Sequence, residues 1–129
     1  MARIPLLVYE GGVFRAARLE DLREAVYTLV STIPVGKVAT YKCIANLLGV
    51  SPRLVALVLK ENKQPVVVPC HRVVMSSLRV GGYSMGGSRV KERLLSIEGV
   101  AVRDGRVSES DVLDECRDGG LGGGENLEA

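Results

Sequence analysis

The chain has 129 residues, of which 47% are apolar and 25% are charged, and its formal net charge is +2. That length suits one domain with a modest core, and the composition is ordinary for a globular protein. The charge excess is too small to indicate nucleic-acid binding by itself. No apolar run approaches the roughly 18–20 residues that span a bilayer, and the N-terminus lacks the features of a secretory signal. We therefore expect a cytoplasmic protein, associated with the nucleoid if it binds DNA.

The chain has three cysteines, Cys43, Cys70 and Cys116, at wide and irregular spacing. An odd number at such spacing argues against a disulfide framework. The single histidine, His71, lies beside Cys70, and there is no CxxC pair. A zinc site needs more ligands than this pattern offers, so we expect no metal and no other cofactor.

Two short apolar runs, Ile4–Val8 and Val13–Ala17, flank a Gly-Gly pair near the N-terminus. Such a pattern predicts a small hairpin. Asp21 and Glu24 then have the spacing of a capping box, and a helical stripe of apolar residues follows. Pro34 and the glycine after it end this first predicted helix.

The next segment predicts two short helices. Thr40 can cap a helix over Tyr41–Leu48, with Gly49 at its C-terminal end. Ser51 can cap a second helix, with Pro52 in its first turn. Two short helices joined by a glycine-containing turn are typical of a helix-turn-helix, although an ordinary helical hairpin has the same pattern.

The second half of the chain predicts shorter elements. A buried strand or extended segment spans Pro65–Pro69, and residues 76–88 form a loop rich in serine and glycine. Ser88 caps a last helix that reaches Glu98, and a hairpin turns at Asp104-Gly105.

We therefore predict an α-rich α/β fold: a single winged-helix-like domain with a helix-turn-helix, a short active-site strand or turn, and a vestigial N-terminal hairpin. The predicted boundaries are an N-terminal strand segment over 1–18, the main domain over 19–107, and a C-terminal tail over 108–129. Glycine-rich, polar composition predicts disorder in this tail from about residue 118.

Cys70 is the candidate nucleophile. A thiol reacts as the thiolate, so it needs a base or a positive charge nearby, and His71 and Arg72 are the local candidates. Adjacent residues of a strand point to opposite faces, so His71 reaches Cys70 only through a turn or a water molecule. Glu98 is one carboxylate that could orient the imidazole. The alternative is that Cys70 is simply a small buried apolar residue.

The segment Pro69–Val73, PCHRV, resembles the active-site signature of the O6-alkylguanine-DNA alkyltransferases. The segment Ile33–Tyr41, IPVGKVATY, is similar to that family's IPxGxVxTY, and Asn62 stands at the family's spacing before the cysteine. Gly82-Tyr83 and Lys91–Gly99, KERLLSIEG, resemble its GY and KxxLLxxEG motifs.

The resemblance implies catalytic roles. Cys70 is the implied alkyl acceptor, and His71 and Glu98 form with a water molecule the relay that removes the thiol proton. Asn62 braces the active-site turn. Tyr83 lines the base pocket and protonates the departing guanine.

The resemblance also implies how damaged DNA is held. The O6 atom lies inside the duplex, so the nucleotide must first be flipped out. Tyr41 presses on the phosphate beside the lesion, and Arg53 fills the gap left in the base stack. The Ser84 backbone lies near O6, and the Cys70 and Val73 carbonyls accept from the guanine amino group. The residues implied at the DNA surface are Tyr41, Arg53, Thr40, Ser51, Leu54 and Arg72.

The resemblance covers about residues 20–102, and the chain departs from the family pattern in four places. Only about thirty residues precede the IPxGxV segment, where the family has a substantial domain. The turn before Arg53 is shorter than in many members. The family's RAVG is replaced by Arg53-Leu54-Val55-Ala56, whose bulkier side chains bear on the minor-groove fit. Met85 is an extra residue in the loop after Tyr83.

From these observations we expect a monomeric, single-use enzyme that transfers an alkyl group from O6-alkylguanine in duplex DNA to Cys70. The first alternative is a lesion sensor that flips damaged guanine without accepting its alkyl group. The second is a plain winged-helix DNA-binding protein in which Cys70 is structural.

Overall fold

The computed structural model describes residues 7–64 and 67–117. Within these ranges the chain forms four helices, six short strands and three single turns of 3₁₀ helix. The strands and helices, in chain order, are β1 (Leu7–Glu10), β2 (Val13–Ala16), α1 (Leu19–Ser31), β3 (Ala39–Thr40), α2 (Tyr41–Leu48), α3 (Pro52–Lys60), β4 (Val73–Val74), α4 (Gly87–Ile97), β5 (Val102–Arg103) and β6 (Arg106–Val107).

The N-terminal hairpin is present as predicted over the described residues. Strands β1 and β2 are antiparallel, and their turn uses Gly11 and Gly12, whose φ angles of 62° and 84° suit glycine. Arg15 on β2 donates to Asp21 at 2.7 Å, which ties the hairpin to α1. Residues 4–6 of the predicted first strand lie outside the described ranges.

Helix α1 begins earlier than the sequence indicated. The backbone N–H of Arg18 donates to the Asp21 carboxylate at 2.8 Å, so Asp21 lies in the first turn and Arg18 is the N-cap. The prediction of Asp21 as the cap was wrong because its carboxylate reaches back to the start of the helix. The apolar stripe is as expected, and Leu22, Val26 and Val30 are fully buried.

The helix-turn-helix is confirmed. The Thr40 hydroxyl accepts from the Cys43 N–H at 3.0 Å, and Gly49 ends α2 with a φ of 71°. The Ser51 hydroxyl accepts from the Leu54 N–H at 3.1 Å at the start of α3. The chain bends by 108° between the two helices, which excludes an antiparallel helical hairpin.

No single helix in the described part is long and apolar enough to span a membrane, and only this bent pair passes that test jointly.

Two short parallel strands connect the helix-turn-helix to the cysteine turn. In β3 and β4, Ala39 pairs with Val73 and Thr40 with Val74, so the start of α2 lies beside the residues that follow Cys70. Of the buried strand or extended segment predicted over residues 65–69, the described part, 67–69, contains one isolated β-bridge residue, Val68, and no longer strand. Residues 65 and 66 are outside the described ranges.

Helix α4 is capped by a glycine. Gly86, at a φ of 118°, is the N-cap, and Ser88 lies inside the first turn without capping it. The prediction of Ser88 as the cap was therefore wrong, because the left-handed residue that redirects the chain lies two positions earlier. The following hairpin, β5–β6, turns at Asp104 and Gly105 as predicted, with φ angles of 53° and 76°.

Residues 108–117, predicted as the start of a tail, are packed against the domain. The Val38 N–H donates to the Asp111 carbonyl, and the Leu113 N–H donates to the Val38 carbonyl, both at 2.9 Å. Leu113 packs on the apolar cluster of α1, α2 and α3, and Cys116 touches both that cluster and the one beside α4. The predicted disorder from residue 118 falls outside the described ranges.

Cys43 and Cys116 form a disulfide, with their Cα atoms 5.3 Å apart and 73 positions apart in sequence. The expectation that the cysteines are unpaired was wrong, because spacing along the chain does not report distance in the fold. Cys43 lies on the buried face of α2, and the C-terminal segment returns to that face. Cys70 is the cysteine left free.

Closing a loop this long restricts the unfolded chain strongly. We expect reduction of the Cys43–Cys116 bond to lower the free energy of unfolding by about 4 kcal/mol, less any structure kept by the reduced unfolded chain. Urea unfolding with and without dithiothreitol measures this difference. A Cys43→Ala/Cys116→Ala chain is the control and should not respond to the reductant. Identical unfolding curves for the native chain under both conditions would contradict the prediction.

Candidate active site beside the helix-turn-helix

Cys70 opens a single turn of 3₁₀ helix, Cys70–Arg72. The Cys70 N–H donates to the Val68 carbonyl at 2.7 Å, and the Arg72 N–H donates to the Pro69 carbonyl at 2.9 Å. Cys70 and His71 therefore lie on a tight turn and are not held on opposite faces of a strand. The side chain of Cys70 is buried, with 6% of its surface exposed.

Asn62 connects the end of α3 to this turn. Its Nδ2 donates to the Val68 carbonyl at 2.9 Å and lies 3.3 Å from Cys70 Sγ, while its Oδ1 accepts from the Gln64 N–H at 2.9 Å. The Nδ2 amide can thus donate a hydrogen bond to the sulfur. Asn62 is itself buried, so it can brace the turn and stabilise the negative charge on Cys70.

His71 is fully buried, and its Nε2 lies 2.9 Å from Glu98 Oε2. Because the carboxylate accepts, the hydrogen-bond pattern assigns the proton of a neutral ring to Nε2 and leaves Nδ1 as an acceptor. No group in the described part of the chain lies within hydrogen-bonding distance of Nδ1. The ring is therefore oriented by Glu98 with a basic nitrogen free.

Arg72 holds the same carboxylate. Its Nε and Nη2 donate to the two oxygens of Glu98 at 2.9 and 2.8 Å, and its Nη1 donates to the Ile33 carbonyl at 2.8 Å. Burial raises the pKa of Glu98, but the hydrogen bonds from Arg72 and His71 outweigh it and lower the pKa below its usual value. The guanidinium of Arg72 is thus bound within the fold, and its expected contact with DNA stays a prediction.

A pocket of about 360 Å³ opens onto Cys70 between α3 and the loop after β4. Helix α3 supplies Ala56, which stands where the family motif has glycine, so the replacement bears directly on the pocket. The residues that line this Cys70 pocket are Tyr41, Ala56, Leu59, Lys60, Cys70, Gly82, Tyr83 and Ser84.

Both pocket tyrosines stay protonated at neutral pH. Burial raises the pKa of both Tyr41 and Tyr83, and the nearby Cys70 thiolate raises both further. Their hydroxyls can therefore donate hydrogen bonds or a proton to a group in the pocket. Ser84 is exposed at the rim, and so is Met85, the additional residue of this loop.

Lys91 is a site residue that the sequence reasoning missed. It is fully buried on α4, and its Nζ lies 3.3 Å from the Tyr41 hydroxyl and 3.2 Å from the Gly82 carbonyl. Burial lowers its pKa to about 8, opposed by attraction to the Cys70 thiolate. The available signal was its position in the KERLLSIEG segment, where a lysine occupies the stripe that faces the core.

The residues predicted at the DNA surface differ in how far the fold exposes their side chains. Arg53 and Ser51 are exposed at the start of α3, and Leu54 is half-buried against the core, which takes part of its bulk away from the surface. Thr40 is buried and its hydroxyl caps α2, so its side chain is used in the fold, and its expected DNA contact stays a prediction. Val73 is fully buried, and its N–H donates to the Cys70 carbonyl.

Across residues 7–64 and 67–117, no group of three or more histidine, cysteine or acidic side chains could hold a metal ion.

The fold and site together define a helix-turn-helix domain that carries a free thiol in a pocket beside its second helix. The chain belongs to the family described as 6-O-methylguanine DNA methyltransferase, DNA binding domain, whose model matches residues 21–100.

Curated relatives agree with this assignment. The methylated-DNA–protein-cysteine methyltransferase of Pyrobaculum aerophilum is 47% identical over 88 residues, which are 67% of this chain and 59% of that protein. The protein of the same name from Methanothermobacter thermautotrophicus is 44% identical over 82 residues, or 64% of this chain and 46% of that protein. The chain thus spans about half the length of the curated relatives it matches.

Solved structures that are similar to this chain agree with the same family assignment. The O6-methylguanine-DNA methyltransferase of Pyrococcus kodakaraensis is 42% identical with a TM-score of 0.57, covering 61% of this chain and 46% of that one. Mycobacterium tuberculosis OGT in complex with DNA is 35% identical with a TM-score of 0.57, covering 65% and 51%. Schizosaccharomyces pombe Atl1, in complex with damaged DNA containing O6-carboxymethylguanine, is 30% identical with a TM-score of 0.61, covering 67% and 83%.

The buried charge of Lys91 should make stability rise at alkaline pH. Its pKa of about 8 in the folded chain lies below the ordinary 10.5, so between these values the unfolded chain binds more protons and folding gains as pH rises. In a Cys70→Ser background, which removes the thiolate, we expect unfolding to cost roughly 1 kcal/mol more at pH 9 than at pH 7.

Urea unfolding of this chain at the two pH values measures the effect, and a Cys70→Ser/Lys91→Met chain is the control. The control should lack the rise and should be the more stable of the two at pH 7. The same pH dependence in both chains would show that Lys91 is not its source.

Proposed function

We propose that the protein repairs DNA by direct reversal, transferring an alkyl group, typically methyl, from O6-alkylguanine to Cys70. The observation that carries the proposal is the free Cys70 thiol. It lies in a pocket of about 360 Å³, with Asn62 Nδ2 3.3 Å from its sulfur and an oriented imidazole on the next residue. A structural cysteine does not need that environment.

The first step is removal of the thiol proton. We infer that one water molecule passes it from Cys70 Sγ to the unprotonated Nδ1 of His71. The Glu98 carboxylate, which accepts from Nε2 at 2.9 Å, stabilises the imidazolium that results. Asn62 stabilises the thiolate from the other side. Buried polar nitrogens are normally hydrogen-bonded to protein or water, which fits a water molecule at Nδ1.

The second step is the transfer. The thiolate attacks the alkyl carbon, a carbon–sulfur bond forms, and the bond from that carbon to O6 breaks with its electron pair going to the guanine. Tyr83, protonated at neutral pH, supplies a proton to the departing base. The thioether on Cys70 is not readily reversed, so each molecule acts once.

The proposed transfer also requires the damaged base to leave the duplex and enter the pocket. O6 lies within the duplex, and flipping the nucleotide costs a few kcal/mol. Exposed Arg53 at the start of α3 can stack in the vacated space, and the N-terminus of α3 favours nearby phosphates. Support comes from two neighbours, the OGT of Mycobacterium tuberculosis and Atl1 of Schizosaccharomyces pombe, whose structures contain DNA.

Intact-protein mass spectrometry tests the transfer. After incubation with a duplex that carries O6-methylguanine, we expect each molecule to gain one CH₂ unit in mass, with peptide mapping placing the methyl group on Cys70. A Cys70→Ser chain is the matched control and should gain nothing.

Two other results would overturn the proposal. Tight, lesion-selective binding without any adduct would make the protein a sensor. Equal affinity for damaged and undamaged duplex, again without an adduct, would make it a plain DNA-binding domain with a structural cysteine.

Arg53→Ala tests the flipping step. We expect transfer from duplex DNA to slow by about tenfold, equivalent to about 1.4 kcal/mol, because the open stack is no longer filled. Reaction with free O6-methylguanine base should change little, since no stack has to open. Single-turnover rates on both substrates provide the measurement, with Arg53→Lys as a charge-retaining control. An equal loss on the two substrates would remove Arg53 from this role.

A further inference from the structure

One of the residues that line the Cys70 pocket carries a positive charge. Lys60, the last residue of α3, is the only charged side chain among its described lining residues apart from the thiol itself. The other polar groups on the wall are the hydroxyls of Tyr41, Tyr83 and Ser84, which can all donate hydrogen bonds. No carboxylate lines this part of the pocket.

The Lys60 ammonium is not engaged elsewhere. In the described ranges it forms no ion pair, and the adjacent Glu61 carboxylate accepts instead from Arg23 at 3.1 Å. Lys60 is exposed, so its flexible side chain can turn toward a group bound in the pocket. Its charge is therefore available to a ligand.

A second ammonium reinforces this field from behind the wall. Lys91 is fully buried, and its Nζ contacts the Tyr41 hydroxyl at 3.3 Å and the Gly82 carbonyl at 3.2 Å, both belonging to lining residues. No acidic partner faces it within the described structure. A buried cation without a counter-ion favours an anion nearby. The thiolate of Cys70 meets that need only until the sulfur is alkylated.

The pocket also has room for more than a methyl group. Cavities of about 300–1,000 Å³ hold drug-sized ligands, and a guanine with a small O6 substituent is smaller than that. A volume of about 360 Å³ therefore accepts the base together with a substituent of several heavy atoms.

We propose that the Cys70 pocket selects O6 substituents that carry a carboxylate, of which carboxymethyl is the simplest, and that Lys60 is the specificity-determining residue. This rests on the proposed alkyl transfer. The thiolate attacks the methylene carbon of O6–CH₂–COO⁻, the bond from that carbon to O6 breaks, and the electron pair returns to the guanine. The product is S-carboxymethylated Cys70, whose carboxylate keeps its charge and faces Lys60 after the thiolate has been consumed.

The experiment compares duplexes identical except at O6, which carries carboxymethyl, the neutral isostere carbamoylmethyl, or methyl. Single-turnover transfer to Cys70 is followed by mass spectrometry for the native chain, Lys60→Met and Lys60→Arg. The readout is the carboxymethyl-to-carbamoylmethyl rate ratio within each chain, so any general effect of a substitution cancels. We expect the ratio to fall by about tenfold in Lys60→Met, as for loss of one hydrogen bond to a charged group, and to be retained in Lys60→Arg.

Two results of this comparison would overturn the proposed selectivity. An unchanged ratio in Lys60→Met overturns the proposal. Equal slowing on all three duplexes also overturns it, because Lys60 then contacts the DNA backbone and not the substituent. If methyl is transferred in either case, the proposed function stands without the selectivity.

If no duplex yields an adduct, the proposed function fails, and the selectivity of the pocket is measured by binding. The Cys70→Ser chain and its Lys60→Met derivative are then titrated with the carboxymethyl and carbamoylmethyl duplexes. A preference for carboxymethyl that is lost with Lys60 supports charge recognition, whereas equal affinities overturn it.

Discussion

The carboxylate of Glu98 joins the parts of the molecule that meet at the free thiol of Cys70. It accepts from His71 at 2.9 Å and from two nitrogens of Arg72, whose third nitrogen donates to the Ile33 carbonyl. The end of α4, the cysteine turn and the segment after α1 are thereby fixed to one another. A charged group this poorly exposed is costly to leave unpaired, so loss of any partner in this network would disturb both the turn and the imidazole.

The remaining parts of the site depend on the turn that Glu98 holds. Strand β4 follows it directly and pairs with β3, which leads into α2 and so positions Tyr41. Asn62 connects the same turn to the end of α3, beside Lys60. The thiol, Tyr41 and the second helix of the helix-turn-helix are therefore joined through this turn. Connections of this kind fix the relative positions of the groups around Cys70, as the proposed transfer requires.

The sequence predicts best where local chemistry decides the structure. Thr40 and Ser51 are caps because their hydroxyls accept from N–H groups three residues later, and Gly49 ends α2 because it adopts a positive φ. The two hairpins follow in the same way from their turn residues. The residues quoted for the family resemblance also include three that line the Cys70 pocket, namely Tyr41, Tyr83 and Ser84.

What the sequence did not predict depends on distant partners. The Cys43–Cys116 bond joins residues 73 positions apart, and the guanidinium of Arg72 binds a carboxylate 26 positions away. Lys91 was missed because a lysine is normally solvated, although its position on the core-facing stripe of α4 indicated burial. Such errors arise because the period of a helix or strand indicates which face is buried but not which group lies opposite.

The disulfide has a consequence for how a population of these molecules can be followed. With Cys43 bonded to Cys116, the chain has one sulfhydryl left, and it is the one in the pocket. Under the proposed transfer and non-reducing conditions, a titration of free sulfhydryl in the unfolded protein therefore counts the molecules whose Cys70 is not alkylated. A thiol reagent can therefore measure the fraction of molecules with a free Cys70 thiol, without labelled DNA.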